Sequence, residues 1–216
     1  MTNLLDGVSR VLILAPHTDD AELGCGGTIA RLLEGGVEVS VAAFSTAEES
    51  LPAGSPVHRA RCEFTRAMGL LGVKEEGTLV YQYPVRRLSY HRQEVLEELV
   101  QLRRRLQPEA VLVPASTDVH QDHQVLHAES VRAFKDLTLW GYELPWNHIS
   151  FSAQAFVVLD ERHVESKWKA LEAYESQLEL QRAYFSREFI FGLAKIRGTQ
   201  VRAAYAEAFE VSRVKW

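Results

Sequence analysis

The sequence predicts an α/β fold: a mostly parallel sheet with helices on both faces and a C-terminal extension. Three observations predict it. Short apolar runs bounded by Gly, Pro or polar residues recur through the first half of the chain. Each is followed by a segment with apolar residues at helical spacing, the signature of βαβ units. Two clusters of His and Asp stand immediately after two of those runs.

Taken in order, Val11 to Ala15 (VLILA), closed by Pro16, suits a strand buried on both faces. A helix is expected from about Gly26 to Leu33, ended by Gly35-Gly36. Val37 to Phe44 reads as a second strand, and Val57 to Leu71 as a helix stopped at Gly72. Thr78 to Tyr83 is the third strand. Gln93 to Leu106 is an amphipathic helix stopped before Pro108, and Ala110 to Val113 is a fourth buried strand. Past His127 the pattern changes: a helix to about Phe134, the aromatic-rich stretch LTLWGYELPWN, and a strand at Ala155 to Leu159. Helical segments follow around Val164 to Tyr174 and Arg187 to Ile196. The 216 residues form one domain, in which about 140–216 is a cap or sheet extension and not an independent unit.

Composition narrows the function classes. The net charge of −5 argues against a nucleic-acid binder, which needs a basic face. Arg86-Arg87 and Arg103-Arg104-Arg105 read as solvated faces, the second offset by Glu94, Glu97 and Glu98. The opening MTNLLDGVSR lacks a signal-peptide pattern, and no apolar run approaches the ~20 residues that cross a bilayer. Two cysteines, Cys25 and Cys62, imply no disulfide framework. The expected location is cytoplasmic.

The chemistry sits in two segments, His17-Thr18-Asp19-Asp20 after the first strand and Asp118-Val119-His120-Gln121-Asp122-His123 after the fourth. Ligands of open α/β sheets bind at the carboxyl ends of strands where strand order reverses, and the first and fourth strands flank that point. The clusters are therefore expected to meet. His17, Asp20 and His123 can then bind one metal and leave positions open for water and substrate. Asp19, beside the ligands, can accept a proton from water. His120 can stabilise an oxyanion as imidazolium, with Asp122 orienting it and favouring its charge.

A lone His or Asp at a strand end is more often a cap or hydrogen-bonding group than a ligand, and His127 fits that role. His58, His91, His148 and His163 are isolated. The glycines Gly24, Gly26 and Gly27 do not complete a dinucleotide fingerprint, since its last glycine would fall at Ile29. They read instead as tight packing beneath the site, with Cys25 a small packing residue.

The segments PHTDDAELGCGGT and DVHQDH resemble the PIG-L/LmbE family of metal-dependent N-deacetylases, whose first motif is PHPDDE and whose second resembles D-x-H-x-D-H. YESQ at 174–177, RG at 197–198 and YAEAF at 205–209 also look like bacterial members. The resemblance implies a Rossmann-like, LmbE-like fold. It implies His17, Asp20 and His123 as ligands of zinc, with iron(II) or another divalent metal as alternatives. It implies Asp19 as general base and His120, with Asp122 beside it, as the oxyanion-stabilising or acid histidine. The activity implied is removal of acetyl from N-acetylglucosamine-type conjugates, and the assembly a homo-oligomer, trimer or hexamer. Thr18 replaces the family's second proline, and the acidic residue after the Asp pair is displaced to Glu22, which is left without a role.

Three alternatives stand beside this reading: an amidase for a larger acyl or non-sugar amide, a non-heme iron(II) oxygenase, and a non-catalytic metal-binding module. Trp140, Tyr142 and Trp146 can stack on a sugar or belong to the core. Arg59, Arg197 and Glu207 are candidate specificity residues.

Overall fold

A computed structural model describes residues 7–52 and 54–215. The opening MTNLLD, read above for a signal peptide, lies outside them. The elements are β1 (Arg10–His17), α1 (Asp20–Glu34), β2 (Glu38–Ser45), α2 (Arg59–Leu71), β3 (Thr78–Val80), α3 (Arg92–Leu106), β4 (Ala110–Pro114) and α4 (Gln121–Ala133). Then follow β5 (Thr138–Tyr142), β6 (Ala155–Leu159), α5 (Glu161–Leu171), α6 (Glu175–Leu178), α7 (Arg187–Gln200) and β7 (Tyr205–Arg213).

The seven strands form one sheet in the order β3-β2-β1-β4-β5-β7-β6. β3 to β5 pair in parallel, and β7 is antiparallel to both β5 and β6. Strand order reverses between β1 and β4, as expected.

Side chains alternate along the central strands and feed two cores. Val11, Ile13, Val39, Val41 and Leu112 face one core with α1, α2, α5 and α7. Leu12, Leu14, Phe44, Val111 and Val113 face the other, with α3 and α4. The VLILA run is continuous because both faces are covered. Leu12, Ile13 and Leu14 are fully buried, each worth roughly 1.5–3 kcal/mol of transfer free energy.

The C-terminal region lengthens the sheet. β5 lies within the aromatic stretch, where Trp140 and Tyr142 are buried core residues, so they do not offer a face to a ligand. Gly141 lets β5 run close to its neighbour, since a Cβ there would stand 2.6 Å from the Ala115 Cα.

α1 starts at Asp20, six residues before the expected Gly26, because Asp20 and Glu22 favour the first turn of a helix. It breaks at Cys25, whose backbone (φ −146°, ψ 27°) is not helical. The second half restarts on the N–H groups of Gly27 and Thr28, which donate to the Glu207 carboxylate of β7 at 3.0 and 2.7 Å. Lys167 Nζ completes that buried group at 2.7 Å. The expected boundary at Gly26 marked this second segment. Gly24 is required by packing, since a Cβ there would lie 2.2 Å from the Tyr142 ring.

Candidate active site

The site is assembled by two strand-to-helix junctions. β1 ends at His17, and Asp20 opens α1. β4 ends at Pro114, and a loop through Asp118 leads to α4, which carries Asp122 and His123 in its first turn. They meet at the carboxyl ends of β1 and β4, in a cavity of about 260 Å³.

Three atoms converge there. His17 Nδ1 lies 3.0 Å from Asp20 Oδ2, His123 Nε2 lies 3.3 Å from the same oxygen, and the two nitrogens are 3.3 Å apart. Ligand atoms around a tetrahedral cation with bonds of about 2.0–2.2 Å stand roughly 3.3 Å from one another, so two imidazoles and a carboxylate fit one divalent metal. The ring nitrogens of His17, His120 and His123 also group within 4.8 Å. The carboxylate-containing triangle is the tighter set and leaves His120 facing the cavity.

Each of the two candidate ligand imidazoles has a carboxylate on its far side, the arrangement that fixes ring orientation in metal sites. His17 Nε2 lies 3.0 Å from Asp122 Oδ2, and His123 Nδ1 lies 2.8 Å from Asp118 Oδ2. Asp118 also accepts the His120 N–H at 2.9 Å. Sequence reasoning gave Asp118 no role; the signal available was that a histidine proposed as a ligand almost always has a hydrogen-bond partner on its other nitrogen. Asp122 differs from expectation. Its side chain bonds His17 and accepts the N–H groups of Arg86 and Leu88 at 2.5 and 3.1 Å, so it does not orient His120. Only its backbone N–H reaches His120, donating to Nδ1 at 3.2 Å.

The charges follow from this packing. Burial pulls the His17 imidazole down, but its hydrogen bonds to Asp122 and Asp20 outweigh that and raise it to about 9. Burial likewise opposes, and the Asp20 charge and the Asp118 bond override, in raising His123 to about 10. Burial pushes Asp20 up, but the His123 charge wins and holds it low. Asp19 is raised to about 6, first by burial and then by the Asp20 charge.

His120 goes the other way. Burial, reinforced by the charges of His123 and His17, lowers it to about 4. This lowering favours the neutral ring over the expected imidazolium. Because Nδ1 accepts a backbone N–H, the proton sits on Nε2, which leaves an N–H donor for an oxyanion.

Asp19 is half-buried on the cavity wall. Glu22 is fully buried and sits 2.5 Å from the Tyr174 hydroxyl, which also bonds the Thr18 carbonyl. The Tyr174 hydroxyl is the donor to both oxygens, and burial pushes the Glu22 carboxyl well up. This pair braces the loop that carries Asp19.

The rim holds Trp146 and Tyr184, stacked with centroids 3.9 Å apart and planes 12° apart, and Arg86 and Arg182. Arg86 is exposed, as a solvated face requires, and also lines the cavity. His127 takes the role expected of it, its Nδ1 lying 2.8 Å from the Pro114 carbonyl oxygen. Arg197 pairs with Glu143, and Glu207 with Lys167, away from this cavity. Arg59 binds Glu63 and Glu179, and touches the site only through Glu63, which lines it.

Among the described residues no helix is long and apolar enough to cross a membrane.

The family profile described as PIG-L, GlcNAc-PI de-N-acetylase, matches residues 12–134, more than half the chain and both motif segments. The "uncharacterized deacetylase YaiS" of Escherichia coli K12 is 26% identical over 172 residues, 77% of this chain and 90% of that protein. The diacetylchitobiose deacetylase of Thermococcus kodakarensis is 31% identical over 125 residues, 54% of this chain and 46% of that protein. The solved structure of the N,N'-diacetylchitobiose deacetylase from Pyrococcus horikoshii superposes with a TM-score of 0.79 at 23% identity, covering 97% of this chain and 86% of that one. At that identity the superposition shows the fold alone. On the profile match, carried by the segments that build the site, this chain belongs to the PIG-L family of deacetylases.

Proposed function

We propose that this chain is a metal-dependent deacetylase that removes the acetyl group from an N-acetylglucosamine-type sugar conjugate. The observation that carries the reading is the triangle of His17 Nδ1, Asp20 Oδ2 and His123 Nε2, with Asp19 and His120 beside it on one cavity. Those three residues would hold zinc, with iron(II) or another divalent metal as alternatives. Bound there, the cation supplies Lewis acidity that draws the pKa of water from ~15.7 toward ~7.

The remaining work falls to the chain. Asp19 takes a proton from the attacking water on its free carboxylate oxygen. His120 Nε2–H donates to the carbonyl oxygen as it becomes an oxyanion. The C–N bond then breaks, the proton held by Asp19 passes to the leaving nitrogen, and a free amine and acetic acid, which ionises to acetate, result. Asp122 and Asp118 keep the His17 and His123 rings aligned throughout. The Trp146–Tyr184 pair supplies an aromatic face for a sugar ring.

The test is acetate release from a panel of N-acetylglucosamine conjugates by metal-free, zinc-loaded and iron(II)-loaded protein. Metal-dependent release from any member is expected. No release from protein shown to bind a metal would overturn the reading.

A further inference from the structure

Asp19 stands at the position that caps α1, yet its carboxylate makes no cap bond to the first turn. An aspartate there usually accepts such an N–H and is fixed by it. Here the backbone is held instead. The Asp19 carbonyl accepts the Leu23 N–H at 3.0 Å, and the Thr18 carbonyl accepts the Tyr174 hydroxyl. Those two bonds fix the peptide planes on either side of the Asp19 Cα, and with them the direction in which its side chain leaves the cavity wall.

Tyr174 is itself anchored. It is buried, and its ring packs edge-on against Phe185 with centroids 6.3 Å apart. Two residues on, Ser176 donates its N–H and hydroxyl to the Glu63 carboxylate at 2.9 and 2.5 Å. The Tyr174 hydroxyl also reaches Glu22 Oε1 at 2.5 Å. Glu22 is fully buried, and its other oxygen, Oε2, has no hydrogen-bond partner among the described residues. An apolar residue of that size would avoid the penalty of the unpaired atom. What the carboxylate adds is a second acceptor, which limits rotation of the hydroxyl beside the Thr18 carbonyl.

From this geometry we infer that Tyr174, steadied by Glu22, is a positioning residue for Asp19, and that it acts on turnover through the Thr18–Asp19 peptide. The inference rests on the deacetylase reading, in which Asp19 is the base. It gives Glu22 the role that the motif alone did not. It also puts the control of a first-motif residue in the C-terminal region, outside the residues 12–134 that match the family profile.

The test is acetate release by zinc-loaded protein from the N-acetylglucosamine conjugate that the unmodified chain cleaves fastest, with zinc affinity measured by chelator competition. Tyr174→Phe should lower kcat by up to about 10²-fold, the scale on which a misplacement of about 1 Å acts, while KM and zinc affinity hold. In an Asp19→Ala background the same change should lower kcat no further, because nothing remains to be positioned. Single-turnover assays at high protein concentration keep these slow variants measurable. Glu22→Gln keeps an acceptor for the hydroxyl and should turn over faster than Glu22→Leu, which has none. Unchanged kcat in Tyr174→Phe, losses that multiply in the double variant, equal kcat in the two Glu22 variants, or a matching loss of zinc affinity would overturn the inference alone. No acetate release by the unmodified chain would overturn the deacetylase reading and the inference with it.

Discussion

At the residue scale, carboxylates divide the labour according to what they touch. Asp20 belongs to the triangle, Asp118 and Asp122 stand behind its histidines, and Asp19 is free on the wall. Each position predicts a separable phenotype. Asp118→Asn should weaken zinc binding by about 10–100-fold, the usual effect of removing such a partner, measured by competition against a chromogenic chelator. Unchanged affinity would remove Asp118 from that role. Asp19→Ala should keep its metal yet lose turnover by about 10²–10⁴-fold, and unchanged turnover would sink its assignment as base. His120→Ala should lower kcat by about 10²–10³-fold with the metal content intact. The charged residues of both motifs were legible from their types and spacing. Their pairing was not: whether Asp122 faces His120 or His17 depends on a loop more than thirty residues earlier, where the Arg86 and Leu88 N–H groups claim its oxygens.

At the element scale, the strands read most easily were those buried on both faces, because an unbroken apolar run too short for a helix can hardly form anything but a covered strand. β7 was harder. Its sequence YAEAFEVSR alternates small apolar and acidic residues, and the glutamate at 207 points inward to Gly27, Thr28 and Lys167. A buried ion pair inverts the polarity pattern on which a strand is recognised. β5 was hidden by Gly141, a residue that lowers strand preference and is present for close approach. Glu207 makes the break in α1 tolerable by satisfying the N–H groups freed at its restart. Glu207→Ala should therefore destabilise the protein by about 3–5 kcal/mol, since it leaves Lys167 buried without a partner. Replacing the pair together with Lys167→Met and Glu207→Leu should cost less. Urea denaturation checks both, and equal losses would argue that the carboxylate–backbone bonds dominate instead.

At the scale of the whole molecule, the three candidate ligand residues are brought together only by folding: His17 and His123 are separated by 106 positions and meet at one strand-order reversal. A cation that binds this group has no comparable site in the unfolded chain. Zinc should therefore raise the thermal midpoint in proportion to the logarithm of its free concentration, by about 2.7 kcal/mol of stability at a hundred times its dissociation constant. A chelator should reverse the gain. A midpoint indifferent to zinc and chelator would contradict a metal site of useful affinity.

The reach of Glu207 back to Gly27 also sets an order of events in time. The two partners lie 180 residues apart, so at about 5–20 residues per second roughly 10–40 s of synthesis separate them. Throughout that interval the second half of α1 lacks its carboxylate, and β4 lacks the strand that covers its outer edge until β5 emerges. A nascent chain carrying both motifs but ending near residue 134 is thus a set of ligands without a finished frame. Its β4 edge is an open template for non-native strand pairing until β5 is made.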